Sequence, residues 1–162
     1  MHLQIEEICV PSYVVTFVYG LNDAPGRMEL WDFLRGASVQ VPWVALGDFN
    51  CVRLSSERIS DAPPNLAAMT DFNNAIYGAD LSELNTIGHV FTWTNKQDGL
   101  DRKWMRLDRA LVNSVWLSVF PSSYADASNA SISDHSPILV SVCPPWGCSS
   151  TTTVSILELL GV

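Results

Sequence analysis

The sequence predicts an α+β fold, a mixed sheet layered with helices. Hydrophobic residues make up 48% of the 162-residue chain and charged residues 16%, the composition of a core-forming domain rather than a disordered one. Short apolar runs of strand character alternate with segments of helical period. The alternation lacks a strict strand–helix–strand rhythm, which favours a mixed sheet over an all-parallel one.

Tyr13 to Tyr19 (YVVTFVY) is β-branched and aromatic and stops at Gly20, the pattern of a buried strand. A loop follows from Gly20 to Gly26. From Arg27 to Ser38, Met28, Trp31 and Leu34 recur at three-residue spacing, which predicts an amphipathic helix. Trp43 to Leu46, bounded by Pro42 and Gly47, reads as a short central strand buried on both faces. Cys51 to Pro64 is polar and reads as a loop. Leu66 to Tyr77 places Met69, Phe72 and Ile76 on one helical face. Val90 to Thr94 and Arg106 to Val112 read as strands around a charged loop, Asn95 to Lys103. Asn113 to Val119 suits a single helical turn, and Pro137 to Val142 a last strand. Residues 1–142 form the domain, and 143–162 are expected to be an unstructured or divergent tail.

Nine Lys+Arg against seventeen Asp+Glu leave a net charge of −8, which argues against binding nucleic acid through a general basic surface. It leaves room for a metal-dependent nuclease, whose site is itself a cluster of carboxylates. The four cysteines are too scattered for a disulfide framework, and Cys143 and Cys148 lack the second pair of a zinc site. Glu6 and Glu7 stand where a signal peptide would be basic, and no apolar stretch approaches the roughly 18 residues of a membrane span. The expectation is an intracellular protein of nucleus or cytoplasm, not secreted and not in a membrane.

Three features carry chemistry. Gly47-Asp48-Phe49-Asn50 follows an apolar strand, at the end where α/β sheets bind ligands. Asp48 can orient or deprotonate a water there, and Asn50 can donate to a phosphate oxygen; a plain Gly-Asp turn is the alternative. Ser133-Asp134-His135-Ser136-Pro137 pairs a hard metal ligand with a group titrating near neutrality, or is turn chemistry before a strand. In Arg106-Leu107-Asp108-Arg109, Asp108 is either part of a solvated ion-pair patch or a carboxylate turned inward to hold an imidazole. Tyr19 taken alone reads as a strand-end aromatic packing on the core. Five of the nine basic residues fall between Lys96 and Arg109, a patch that adjoins Trp93 and contains Trp104, a loop suited either to nucleic acid or simply to solvent.

Together, in this order, the blocks VYG, GDFN, FTWTN, RLDR, Trp116, Phe120-Pro121 and SDHSPI resemble the endonuclease/exonuclease/phosphatase superfamily of DNases and apurinic endonucleases. They are most similar to endonuclease domains of plant long-interspersed-element retrotransposons, and the resemblance covers roughly Tyr13 to Val142. It implies the carboxyl-terminal two-thirds of a four-layer α/β sandwich of DNase-like fold, and Mg²⁺-dependent hydrolysis of DNA, with Mn²⁺ as the substitute ion. Asp48 would activate the attacking water, Asn50 would help hold phosphate and nucleophile, and Asp134 would serve the metal. His135 would contact the scissile phosphate with Asp108 fixing its orientation. Tyr19 and Asn22 would contact phosphate, while Trp93, Arg102 and Lys103 would meet the DNA.

The resemblance also implies an opening strand ending in Asn and a Glu that is a principal metal ligand, and neither is found upstream of Tyr13. A truncated copy of weak activity is therefore expected, with a sheet edge open to self-association and no obligate protein partner. A non-catalytic remnant that binds nucleic acid weakly is the alternative reading, and a phosphatase of the same superfamily a second.

Overall fold

Strand alternation organises the middle of the molecule. Along Tyr13–Val18, Tyr13, Val15 and Phe17 face one core while Val14 and Val18 face another, so this strand is a partition between two apolar layers. The computed structural model describes residues 1–7, 10–128, 133–143 and 152–155. In chain order these form β1 (His2–Glu7), β2 (Val10–Tyr19), α1 (Ala24–Gly36), β3 (Trp43–Asp48), β4 (Arg58–Ile59), α2 (Leu66–Gly78), β5 (Leu81–Glu83) and β6 (Thr86–Gly88). Then come β7 (Trp93–Thr94), β8 (Trp104–Met105), β9 (Asp108–Asn113), α3 (Ser114–Val119), β10 (Tyr124–Ala127), β11 (Ile138–Val142) and β12 (Thr152–Ser155).

The central sheet has the order β1-β2-β3-β9-β5, with β2 and β3 parallel and the other neighbours antiparallel. On one face lie α1 and α2, where Trp31 stacks on Phe72 at a centroid distance of 4.6 Å and Phe72 on Phe49 at 5.3 Å. On the other lies the sheet β12-β11-β10-β6, and Ala125, Ala127, Ile138, Val140 and Val142 meet Tyr13, Val15, Val44 and Leu46 between them. Helices, sheet and second sheet are three layers of the expected sandwich. The buried tryptophans keep their N–H groups satisfied: Trp43 Nε1 donates to Thr16 Oγ1 and Trp116 Nε1 to Ser123 Oγ, both at 2.8 Å.

α1 begins at Ala24, earlier than its apolar period suggests, because Asp23 caps it by accepting from the Gly26 N–H at 2.7 Å. No strand is predicted before Tyr13, yet β1 pairs antiparallel with β2. The expected strand Val90–Thr94 is reduced to β7, and with β4 and β8 it makes a small third sheet, β4-β8-β7. In the tail, expected to be without structure, β12 pairs with β11; its β-branched run Thr152-Thr153-Val154 suits a strand. The rest of the tail beyond Cys143 lies outside the described residues.

Candidate active site

Register delivers the acidic groups. Tyr19 of β2 lies beside Asp48 of β3, and Asp48 beside Asp108 of β9, so three adjacent strands end in one row. Gly20 allows this: its N–H donates to the Asp48 carbonyl at 2.6 Å, and a Cβ there would stand 2.6 Å from the Phe49 carbonyl oxygen. Beyond Asp48, Asn50 takes a left-handed φ of 49°, a conformation asparagine tolerates better than most residues.

The small sheet brings in the histidine. Trp93 of β7 bridges to His135, and the Ser136 N–H donates to the Thr92 carbonyl at 2.6 Å. His135 Nδ1 then lies 2.9 Å from Asp108 Oδ2, and its Nε2 lies 3.9 Å from Asp48 Oδ2. The first distance is a hydrogen bond, and the second is too long for one. Burial pulls the His135 pKa down, but the Asp108 hydrogen bond and the charges of Asp108, Asp48 and Asp134 outweigh it and raise the pKa above the ordinary value. Asp48 is raised from 3.8 to about 6, chiefly by burial and next by the Asp108 charge, against the lowering effects of the Asn50 N–H, His135 and Arg27.

Asn50 is held from both ends. Its backbone N–H donates to Asp48 Oδ1 at 2.7 Å, while Nδ2 donates to Asn22 Oδ1 at 2.6 Å and to the Gly20 carbonyl at 3.3 Å. The Gly20 carbonyl can only accept, and this sets which way the amide points. With its N–H groups engaged, Asn50 offers a carbonyl oxygen, which suits a water or a cation better than the phosphate oxygen expected from sequence.

Asp134 is exposed beside His135, and its Oδ2 accepts from Trp93 Nε1 at 3.0 Å. Trp93, expected to meet DNA, is thus tied to the acidic rim. Tyr19 is 78% exposed, so the core-packing reading fails: the strand has left the core where Tyr19 stands. Arg102 and Lys103 lie on the exposed β7–β8 hairpin, with the Arg102 guanidinium 4.8 Å from the Trp104 ring centroid.

The patch around Asp108 is not solvated. Arg109 is fully buried on the opposite face of β9, bonded to Glu57 and Glu83, and Arg53 and Arg106 also reach Glu83. Two supporting residues were missed by sequence reasoning. Thr92 Oγ1 accepts from the N–H groups of Leu107 and Asp108 at 3.0 and 2.9 Å, fixing the backbone that carries Asp108. Arg27, in the first turn of α1, donates from one guanidinium nitrogen to the carbonyls of Leu21 and Asn22, both at 2.8 Å. An arginine at the positive end of a helix was a usable signal, because the helix dipole disfavours it there.

Among the described residues, Asp48, Asp108 and His135 form a group whose ligand atoms all lie within 4.8 Å of one another. Two buried carboxylates side by side, with the Asp108 charge raising the cost of ionising Asp48, fit a divalent cation. Mg²⁺ in particular takes one or two carboxylates and fills its shell with water and phosphate oxygens.

No protein-family model and no curated protein sequence matches the chain. Its structure is similar to beta toxin from Staphylococcus aureus, with a TM-score of 0.56 and 14% identity over 86% of this chain and 55% of the toxin's. A toxin mutant with bound magnesium ions matches at TM-score 0.46 and 12% identity, covering 95% of this chain and 52% of its own. A β-hairpin deletion mutant of the toxin matches at 0.39 and 15%, covering 70% and 43%. The chain spans about half the length of the toxin chains it matches. The first match shows a shared DNase-like fold of mixed sheets flanked by helices.

Proposed function

We propose that this chain carries the reaction centre of a Mg²⁺-dependent phosphodiesterase of the endonuclease/exonuclease/phosphatase superfamily, of plant retrotransposon type, acting on DNA. The observation that carries the reading is the pair Asp48 Oδ2 and His135 Nε2, facing each other 3.9 Å apart with Asp108 bound to the far side of the imidazole. At that separation a water or phosphate oxygen can hydrogen-bond to both groups from one side of the line that joins them.

Asp48, with its pKa raised to about 6, is ionised at neutral pH yet basic enough to take a proton from an attacking water. Asn50 accepts from the same water through its carbonyl oxygen and holds it in place. Asp108 keeps His135 Nδ1 as a donor, and the raised pKa favours the imidazolium, so Nε2–H points at a non-bridging phosphate oxygen. As oxygen adds to phosphorus, the opposite P–O ester bond breaks, its electron pair leaves with the ester oxygen, and that oxygen takes a proton from solvent water. Asp48 and Asp108 would hold the cation, with Asp134 as a further acidic group beside it, and the cation would supply Lewis-acid charge for the phosphate. Tyr19 and Asn22 line the phosphate approach, and the hairpin bearing Arg102, Lys103 and Trp104 supplies cations and a stacking surface for the DNA backbone and bases.

Nicking of supercoiled plasmid with and without Mg²⁺ tests the reading. Slow, cation-dependent nicking that is lost in Asp48→Ala is expected. Nicking that persists in Asp48→Ala, or no cation-dependent cleavage at high protein concentration, refutes it.

A further inference from the structure

We infer that Arg27 is a positioning residue for this reaction, orienting the Asn50 amide through Asn22; the inference rests on the phosphodiesterase reading for its catalytic consequence but not for its geometry. Arg27 is 6% exposed, placed in the helix turn where the dipole disfavours a cation, and among the described residues its hydrogen bonds reach no carboxylate. It donates instead to two successive carbonyls, Leu21 and Asn22, and so fixes the turn that leaves β2. Hydrogen bonds from a charged donor to backbone are stronger than neutral ones, and two from one nitrogen leave the turn little freedom.

That turn ends in the side chain that matters. Asn22 Oδ1 accepts from Asn50 Nδ2 at 2.6 Å, and Asn50 N–H in turn donates to Asp48 Oδ1 at 2.7 Å. A continuous run of hydrogen bonds therefore links a buried cation on α1 to the carboxylate at the end of β3. Without Arg27, the Leu21–Asn22 carbonyls lose their partner, Asn22 drifts, and the Asn50 amide, left with only its long 3.3 Å bond to the Gly20 carbonyl, turns an N–H toward the site more readily. It would then present a donor where the attacking water needs an acceptor. Substrate affinity is spread over many backbone contacts and is little affected, so the loss falls on kcat.

The experiment uses the ¹⁵N-labelled full chain. The Asn50 side-chain amide pair is assigned by its disappearance in Asn50→Asp, and the Asn73 pair serves as a control, because Asn73 Nδ2 donates to the Arg53 and Met69 carbonyls away from this turn. In Arg27→Gln and in Asn22→Leu, the Asn50 protons are expected to shift upfield and exchange faster with solvent while the Asn73 pair stays. Arg27→Lys, which keeps a charged donor, should restore much of the wild-type signal. Plasmid nicking should lose about 100-fold in kcat with KM nearly unchanged, the cost of a misplaced reacting group.

An Asn50 pair that does not move in Arg27→Gln overturns the inference. If Arg27→Gln loses the Asn73 pair as well, it has unfolded, and Arg27→Met, which keeps the buried volume but no donor, decides by the same criterion. A wild type that cleaves nothing while its Asn50 pair responds as expected overturns the phosphodiesterase reading and supports the positioning.

Discussion

Asp48→Asn should make the protein more stable while removing its chemistry. The residue is 8% exposed, and its pKa rises from 3.8 to about 6 on folding, so the folded state binds its proton more tightly than the unfolded one. The sign follows: the Asp48 contribution is most favourable below pH 3.8, declines as pH rises to about 6, and is least favourable above that. The two pKa values differ by about two, and each tenfold step is worth about 1.4 kcal/mol, so ionised Asp48 costs the fold about 3 kcal/mol at neutral pH. Asparagine keeps an acceptor for the Asn50 N–H and carries no charge to desolvate.

Urea unfolding in the presence of a chelator, at about pH 8 and again below pH 4, measures the difference. A gain of about 2–3 kcal/mol for Asp48→Asn at the higher pH, vanishing at the lower, is expected. Adding Mg²⁺ should then stabilise the wild type and not the variant, since a ligand stabilises only the state that binds it. A variant less stable than wild type at pH 8, or a gain that ignores pH, refutes the assignment of Asp48 as a buried, charge-stressed group.

The surrounding structure gives further expectations. Arg109→Met leaves the half-buried Glu57 without its cation, while Glu83 keeps Arg53 and Arg106, and should cost about 3 kcal/mol in the same urea assay. Glu57, although burial pushes its pKa up, is held below the ordinary value by Arg109, so its contribution to stability should be lost as pH falls through that lowered pKa, and Glu57→Gln should flatten the acid limb. Gly20→Ala drives a methyl group onto the Phe49 carbonyl and should cost about 1–3 kcal/mol together with most nicking activity, read by melting and plasmid assay. Arg102→Ala with Lys103→Ala should weaken DNA binding and reduce its log–log salt slope by about one for each phosphate no longer neutralised, read by salt-titrated binding.

Much of this was legible because strong local patterns coincided with strong tertiary demands. The helix at Leu66 and the strands at Tyr13, Trp43, Arg106 and Pro137 lie close to where apolar period and turn residues put them, while α1 starts three residues early at its Asp23 cap. Asp108 facing His135 was readable as one of two options, and burial of the flanking Arg109 decides it against a solvated patch. Elements of two to four residues were not legible: β5, β6 and β10 are too short for a period to register, and they exist because longer neighbours offer them an edge. Arg27 and Thr92 escaped for another reason. Their partners are backbone groups 5 to 16 residues away, which no side-chain motif records. Which side of the Asn50 amide faces the site depends on the Gly20 carbonyl that β2 and β3 bring together, a contact between chain segments 30 residues apart.

Single-turnover cleavage and equilibrium binding of one duplex by His135→Ala test the site most directly, because His135 meets a single phosphate while affinity is spread over many. Cleavage reduced by about 100-fold or more, with affinity within a small factor of wild type, is the outcome this geometry requires. Cleavage at the wild-type rate would mean that the His135–Asp108 pair is a structural hydrogen bond before a strand, and that the chemistry, if any, lies elsewhere.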